Sequence, residues 1–493
     1  MLLKRLRDKF NYFDRKLDDS QNGIDQLLHG QNQLSELCSS IDKKLADIEE
    51  RLIHVEDRCK IVDEDKIEDM RTRLIHIEDK NTRLLEAEIL KYKKMESDNA
   101  RLYEEPEGFQ YDYGIFGMWF TQNYGAALTS YALYKEVEQL GYSAVLIDLP
   151  QIGGGQDSTT YFVNALDRTF INQNTLTTET LDLKNIRILN SVCDSFIFGS
   201  DSLWGGGYEY QLYFLEGVLF GSKICNEKNR ISFSTSFGSW QGTKCNSVEQ
   251  QYVKMLLKRF HYISVREKAG ALLCKTEFGI EASWTLDPVW LLPVEEYDKV
   301  MDTDTDLPDE FIFAYMLQPL ADKIDMIKYL SEKLDKKVVF VSDMNVSNRK
   351  KFGEYKRYDF IYYDDMSVPA WLTAVKTAAY VITDSYHGMC FSMIFKKQFI
   401  TLYPRDGIIR FRDLQNLLNI SDRINIKDTI GIEKALSEPI DYVKLDNMMQ
   451  KKIEQDRNEL KYALQKKTDK NDNIFSAELE NAVFARKLLR KLN

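Results

Sequence analysis

Proline is scarce in this chain: there are 9 in 493 residues, none precedes Pro106, and Gly23 and Gly30 are the only glycines before it. The first hundred residues therefore lack the usual breakers of a long helix. Cysteine is sparse too, with 7 residues and no C-x-x-C pair. That odd, scattered set excludes a disulfide framework and a zinc-ribbon site and points to reduced thiols. No run of 18 apolar residues occurs, so no transmembrane helix is expected. The charged Met1–Phe10 stretch has no apolar segment of the kind a secretory leader needs. Basic excess is missing as well. The net charge is −11, which excludes a general cationic surface for nucleic acid. The expectation is a cytoplasmic protein. Lys4, Arg5, Arg7, Lys9, Arg15 and Lys16 form one local basic span. A peripheral contact with the inner face of an anionic membrane is a further expectation for it, and a solvated helix face is the plainer reading.

What is present suits folding. Apolar residues make up 44% and aromatics 12%, enough for two or three globular units at this length. In 1–104, Leu34, Leu37, Ile41, Leu45, Ile48, Leu52 and Val55, then Ile67, Met70, Leu74, Ile77 and Leu84, recur at steps of three and four with charges between them. This predicts a coiled coil. The run Arg51–Asp57 returns as Arg73–Asp79, 22 residues or two elevens later, a period that unwinds the usual left-handed supercoil. Such a stripe cannot bury itself alone, so a homo-oligomer through this helix is expected. His54 and His76 on the repeat read as exposed coil residues, with no further ligand near them for a metal.

Beyond the coil the period changes. Strands are predicted at Tyr113–Phe120, Ser143–Leu149, Ser195–Phe198, Ile231–Ser234 and Tyr262–Val265, with a helix from Ala126 to Gly141. A second series follows the acidic Asp302–Pro308 stretch. It has strands at Phe311–Leu317, Lys337–Val341, Tyr380–Thr383 and Gln398–Leu402, and helices at Ala321–Leu334, Ser367–Ala379, Gly388–Phe395 and Arg410–Leu418. Alternation of this kind means mostly parallel sheets. The fold expected is α/β: a first Rossmann-like lobe over 105–300, a second over 301–440, and a helical tail over 441–493 that straps back over a lobe.

Parallel sheets bind ligands at the carboxyl ends of their strands, so the residues there are the candidates. Asn123 and Gly125 open a helix, where backbone N–H groups meet anions; a tight turn is the plainer reading, since G-x-G-x-x-G and the P-loop are both absent. Ser200, Asp201 and Trp204 follow the third strand. Asp201 suits a general base or a sugar-hydroxyl ligand, and an Asx turn is its structural alternative. Arg266 is placed as a clamp for carboxylate or phosphate, or as an ion-pair partner of Glu267. His387 is the single His of 301–440 and opens a helix, whose positive end favours a neutral imidazole available for proton transfer. Arg405, Arg410 and Arg412 add cations after the next strand. The set fits an anionic small-molecule donor better than a metal-dependent hydrolase, and no metal site is expected.

Several segments carry a family resemblance. They are Gly114–Leu133, Phe196–Trp204 (FIFGSDSLW), Ser232–Gly238 (SFSTSFG), Ile263–Glu267 (ISVRE), Leu286-Asp-Pro288, Val381–Met393 (VITDSYHGMCFSM) and Arg410-Phe411. In order and spacing, over about Gly114 to Arg423, the chain resembles the polysaccharide pyruvyl transferase family. The resemblance implies a glycosyltransferase-B-like fold, phosphoenolpyruvate as co-substrate with no cofactor, and a glycan or lipid-linked sugar acceptor that becomes a pyruvate ketal. It implies His387 as general acid, Asp201 as proton acceptor, and Arg266, Ser385, Gly388 and Arg410 at the donor. Asn123, Gly125, Ser200 and Trp204 are the candidate substrate-binding residues. Family members often carry Arg where this chain has Ser385, which removes one expected donor cation. Two other readings stay open: a nucleotide-sugar glycosyltransferase on the same fold, and a non-catalytic glycan-binding scaffold built on the coiled coil.

Overall fold

The computed structural model describes residues 108–466 apart from 121–122, 151–165, 184, 206–216, 225–227, 239–252, 255, 343–357, 365 and 405–407. The coiled coil expected over 1–104, with His54 and His76, lies outside the described residues, as do Arg405 and the tail beyond 466.

Two parallel sheets divide the described chain. The first holds β1 (Tyr111–Phe116), β2 (Ala144–Leu146), β3 (Cys193–Phe198), β4 (Asn229–Thr235), β5 (Tyr262–Val265) and β6 (Ser283–Trp284) in the order β2-β1-β3-β4-β5-β6. The second holds β7 (Phe311–Met316), β8 (Lys337–Ser342), β9 (Ile361–Tyr363), β10 (Tyr380–Thr383) and β11 (Phe399–Thr401) in the order β11-β10-β7-β8-β9. Strands covered on both faces tend to contiguous apolar runs. In β7 all six residues of FIFAYM are buried.

The connecting helices are α1 (Tyr124–Gln139), α2 (Leu166–Asn174), α3 (Lys268–Phe278), α4 (Ala321–Leu334), α5 (Val368–Thr377), α6 (Tyr386–Ile394), α7 (Ile409–Leu418), α8 (Thr429–Ser437) and α9 (Tyr442–Gln465). Helix α1 is buried almost all round because it is sandwiched between the lobes. The ring of Tyr124 stacks on Trp371 of α5 at 5.4 Å, and its hydroxyl donates to the Met366 carbonyl at 2.8 Å. One apolar core runs through this contact, and a smaller one lies under the far face of the second sheet.

Helix α9 does strap back. Lys396 pairs with Asp446 near its start, and the Tyr113 hydroxyl donates to the Leu464 carbonyl at 2.6 Å near its end. The structure departs from the sequence expectation at several edges. Strand β1 ends at Phe116, and Gly117–Phe120 leaves the sheet so that Trp119 can donate its indole N–H to the Ile147 carbonyl. β6 and β9 were not expected. They are short, half-buried edge strands with no hydrophobic period to betray them. Among the described residues no helix is long and apolar enough to cross a membrane.

Candidate active site

The turn after β3 is shaped by sterics. A Cβ at Gly199 would stand 2.1 Å from the Phe233 carbonyl oxygen, so only glycine fits. Asp201 then adopts φ 60°, and its carbonyl accepts from the Leu203 and Ser236 N–H groups, both at 2.8 Å. These bonds hold its carboxylate at the junction of the two lobes. Arg266 leaves the end of β5, Asp287 caps the turn Pro288–Trp290 after β6, and His387 sits in the first turn of α6 after β10.

These residues meet at Asp287. Its Oδ2 accepts from Arg266 Nη1 at 2.6 Å and lies 3.3 Å from His387 Nε2. Its Oδ1 accepts from the Thr129 hydroxyl at 2.6 Å and from the Val289 N–H at 3.1 Å. Ser200 Oγ joins the cluster, 3.0 Å from the Thr129 hydroxyl and 3.4 Å from Asp287 Oδ2. Arg266 also reaches Asp201 Oδ1 at 3.2 Å and Glu267 Oε1 at 3.4 Å, and its guanidinium lies over the Tyr386 ring at 4.9 Å. Side-chain exposure is 0% for Asp287, 1% for Arg266 and 7% for His387, but 14% for Asp201. Asp201 is thus more exposed than Asp287.

Burial opposes the charge on Asp287, but His387, Arg266 and the Thr129 hydroxyl outweigh it and hold the carboxyl well below the usual range. Asp201 behaves alike. Burial raises it, and Arg266, His387 and Arg410 together pull it below its ordinary value. Glu267 goes the other way, since burial outweighs Arg266, Ser236 and Arg410 and pushes its carboxyl up. Its Oε1 accepts from the Ser236 hydroxyl, and its Oε2 is buried without a partner. An ionised carboxylate can only accept, so Nε2 is the proton-bearing nitrogen of His387. The charge that governs this imidazole is therefore the Asp287 carboxylate and not the helix end alone.

The structure distributes the other candidates differently from the sequence reading. Arg266, expected as the donor clamp, is saturated by three carboxylates of its own chain. Trp204, expected to bind substrate, is fully buried, with its indole N–H on the Leu219 carbonyl at 2.8 Å and its ring against Phe220 and Phe237. A side chain so enclosed is packing and touches no substrate. Asn123 Oδ1 caps α1 through the Ala126 N–H at 3.1 Å, and Ser385 Oγ caps α6 through the Gly388 N–H at 3.2 Å. Gly388 lets α6 approach β10, since a Cβ there would meet Thr383 Oγ1 at 2.5 Å. Arg412 is exposed on α7. Arg410 is the cation left over. Among the described residues it forms no hydrogen bond or ion pair and acts only through its charge on Asp201 and Glu267; its Nε is buried without a partner, and a Cβ on Gly238 would stand 3.0 Å from its terminal nitrogen.

Gly125 makes room for the histidine. A Cβ there would lie 1.9 Å from His387 Nδ1. Alanine in a helix is favoured over glycine by about 1 kcal/mol, yet Gly125→Ala should lower the midpoint of thermal unfolding, with an overpacking cost of about 1–3 kcal/mol. The cost should vanish in a His387→Ala background. A stabilising Gly125→Ala would show that the ring sits elsewhere.

Asp287, Thr129 and Glu267 were not foreseen as site residues. Asp287 stands before Pro288, a pattern that reads as an ordinary turn cap. A further carboxylate, Asp384, stands at the end of β10 in the second sheet. Asp384 accepts from the Leu317 N–H at 2.6 Å, the Gln318 N–H at 3.0 Å and Lys323 Nζ at 2.6 Å, with both charged side chains fully buried. The donors at the end of β7 are thus filled by the chain itself. Among the described residues no cluster of potential metal ligands occurs.

A family model described as polysaccharide pyruvyl transferase matches residues 123–406. No curated protein matches the chain. Among solved structures, the S. aureus MnaA–UDP co-structure is similar at 14% identity, over 71% of this chain and 96% of that one, with a TM-score of 0.45. A Methanocaldococcus jannaschii UDP-GlcNAc 2-epimerase in complex with UDP-GlcNAc and UDP is similar at 13% identity, over 66% and 91%, with a TM-score of 0.43. A Neisseria meningitidis UDP-GlcNAc 2-epimerase bound to UDP-GlcNAc is similar at 10% identity, over 71% and 98%, with a TM-score of 0.44.

Proposed function

Because the chain belongs to the polysaccharide pyruvyl transferase family, and is thereby a transferase acting on polysaccharide, we propose that it moves the pyruvyl group of phosphoenolpyruvate onto two hydroxyls of one glycan sugar as a ketal. The observation that carries this is the chain Asp201–Arg266–Asp287–His387, which crosses the lobe interface with Arg410 beside it, its Nε buried without a partner. Arg410 binds the anionic donor, since Ser385 is spent as a helix cap and Arg266 is spent on carboxylates. The donor lies beside His387 at the lobe interface, with the imidazole held on Asp287.

His387 then delivers a proton to the donor methylene carbon, and C2 becomes electrophilic. One sugar hydroxyl bonds to C2 and passes its proton to Asp201, the partly exposed carboxylate. The C2–O bond to phosphate breaks with its electron pair on the phosphate. The second hydroxyl bonds to C2, and its proton leaves with the phosphate. The proton held by Asp201 restores His387. One hydroxyl proton thus replaces the one given to the methyl group. The acceptor is a surface-glycan sugar or its lipid-linked precursor, met in the cytoplasm, with copies of the chain joined through residues 1–104. The Asp384-filled turn of the second sheet weighs against a nucleotide-sugar donor.

The test is thermal shift and calorimetry with phosphoenolpyruvate and a panel of nucleotide-sugars. Phosphoenolpyruvate should stabilise the protein, and Arg410→Ala should weaken its binding by about 10- to 100-fold, the worth of a charged hydrogen bond. Among the described residues Arg410 makes no hydrogen bond or ion pair and acts only through its charge on Asp201 and Glu267, so folding stability should change less than donor binding. Stabilisation by a nucleotide-sugar alone would overturn the donor assignment.

A further inference from the structure

Helix α9 lies beyond the family-matched residues, yet it grips the turn that carries Asp287. Asp456, fully buried, accepts the Leu286 N–H on its Oδ2 at 2.8 Å. Lys452 donates to Asp456 Oδ1 at 2.6 Å and to the Trp284 carbonyl at 2.9 Å, and its ammonium lies 4.3 Å from the centre of the Trp284 ring. The Trp284 indole N–H in turn donates to the Arg266 carbonyl at 3.0 Å. The next residue of α9, Arg457, donates to the Leu291 carbonyl and pairs with Glu136 of α1 at 3.0 Å. The segment Trp284–Leu291 is thereby held from one side at both ends, with Asp287 between the two grips.

A buried ion pair is a weak source of stability, because desolvation offsets most of its attraction. Its geometric value is larger. The Leu286 N–H has no strand partner past the end of β6, and the peptide that follows it leads directly into Asp287. A carboxylate shared by Arg266 and His387 must stand within a few tenths of an ångström of both, and a misplacement of about 1 Å costs on the order of 10² in rate.

We infer that Asp456 of α9 is a positioning residue: it accepts the Leu286 N–H, fixes Asp287, and through Asp287 sets the orientation of His387. For its kinetic consequence this rests on the pyruvyl-transfer reading.

The test uses the full chain. Asp456→Leu removes both the acceptor for Leu286 and the partner of Lys452. Asp456→Asn removes the charge but leaves an oxygen for Leu286, so comparing the two isolates the acceptor from the ion pair. Two readouts are needed. One is the downfield ring N–H proton resonance of His387 hydrogen-bonded to Asp287, identified by its absence in His387→Gln. The other is the kinetics of transfer from phosphoenolpyruvate. Asp456→Asn should keep the wild-type resonance. Asp456→Leu should shift or lose it and lower kcat by about 10- to 100-fold relative to Asp456→Asn, with KM for phosphoenolpyruvate within about twofold. An unchanged resonance and equal kcat in the two variants would overturn the proposal, as would absence of the resonance from the wild-type protein. If Asp456→Leu does not fold, Lys452→Met/Asp456→Leu replaces the pair by apolar groups, lacks the same acceptor and gives the same decision. A wild-type protein that transfers no pyruvate would sink the donor assignment alone, and the resonance would then decide the positioning role.

Discussion

His387→Ala should lower the rate of pyruvyl transfer by about 10²- to 10⁴-fold, the usual contribution of a placed general acid. The effect should fall on kcat and leave the affinity for phosphoenolpyruvate nearly intact, because the donor's anionic groups are assigned to Arg410. Asp287 keeps Arg266, Thr129 and the Val289 N–H as partners when the imidazole is gone. The lost bond should therefore cost only about 1–3 kcal/mol of stability, and the variant should remain folded. Steady-state kinetics with a direct assay of donor binding separate the outcomes. A variant with full kcat would remove His387 from the chemistry, and one that lost only affinity would make it a binding group.

Asp287→Ala should be the most destabilising substitution at the site. It strips the shortest ion-pair contact from Arg266, a guanidinium with 1% side-chain exposure, and leaves that buried cation to Asp201 and Glu267. Breaking such a pair costs about 3–5 kcal/mol. Asp287→Asn, which keeps the shape and the acceptor for Thr129, should cost less.

The pH dependence of stability provides a second handle. The carboxyl of Asp287 is held below its ordinary value of 3.8, so its contribution is full above that pH and is lost as the pH falls towards the depressed native value. The stability gap between wild type and Asp287→Asn, measured by denaturant unfolding, should accordingly shrink below pH 3.8. Glu267 has the opposite sign. Its carboxyl is raised from 4.5, so its contribution is present below that value and declines as the pH rises through the raised one. Glu267→Gln should thus gain stability relative to wild type as the pH rises above 4.5. A gap for Asp287→Asn that stayed constant down to acid pH would show that the carboxylate is not ionised in the native cluster.

Much of the architecture was legible because a parallel strand covered on both faces has to be a contiguous apolar run. Tyr262–Val265, Tyr380–Thr383 and the helix Ala321–Leu334 have the limits their sequence predicts. Edge strands escape this logic: Ser283–Trp284 and Ile361–Tyr363 bury too little to leave a pattern. The same constraint made some site residues readable. In parallel sheets the chemistry collects at strand ends, so Asp201, Arg266 and His387 could be picked from the residues that follow β3, β5 and β10. By itself, then, the sequence determined the alternation of strands and helices, the family, and which polar side chains stand at the mouth of the sheets. Only the tertiary structure decided which of those charges are already neutralised. Arg266 meets Asp287 across 21 residues of chain and Asp287 meets His387 across 100, whereas the Nε of Arg410 is buried without a partner. Trp204 and Ser385 look equally available in the sequence, yet one is packed in the core and the other is spent on a helix end. Asp287 reads as a turn cap until the fold brings Thr129, Arg266 and His387 onto it. Burial and pairing are properties of contacts between distant segments, and no local pattern of residues encodes them.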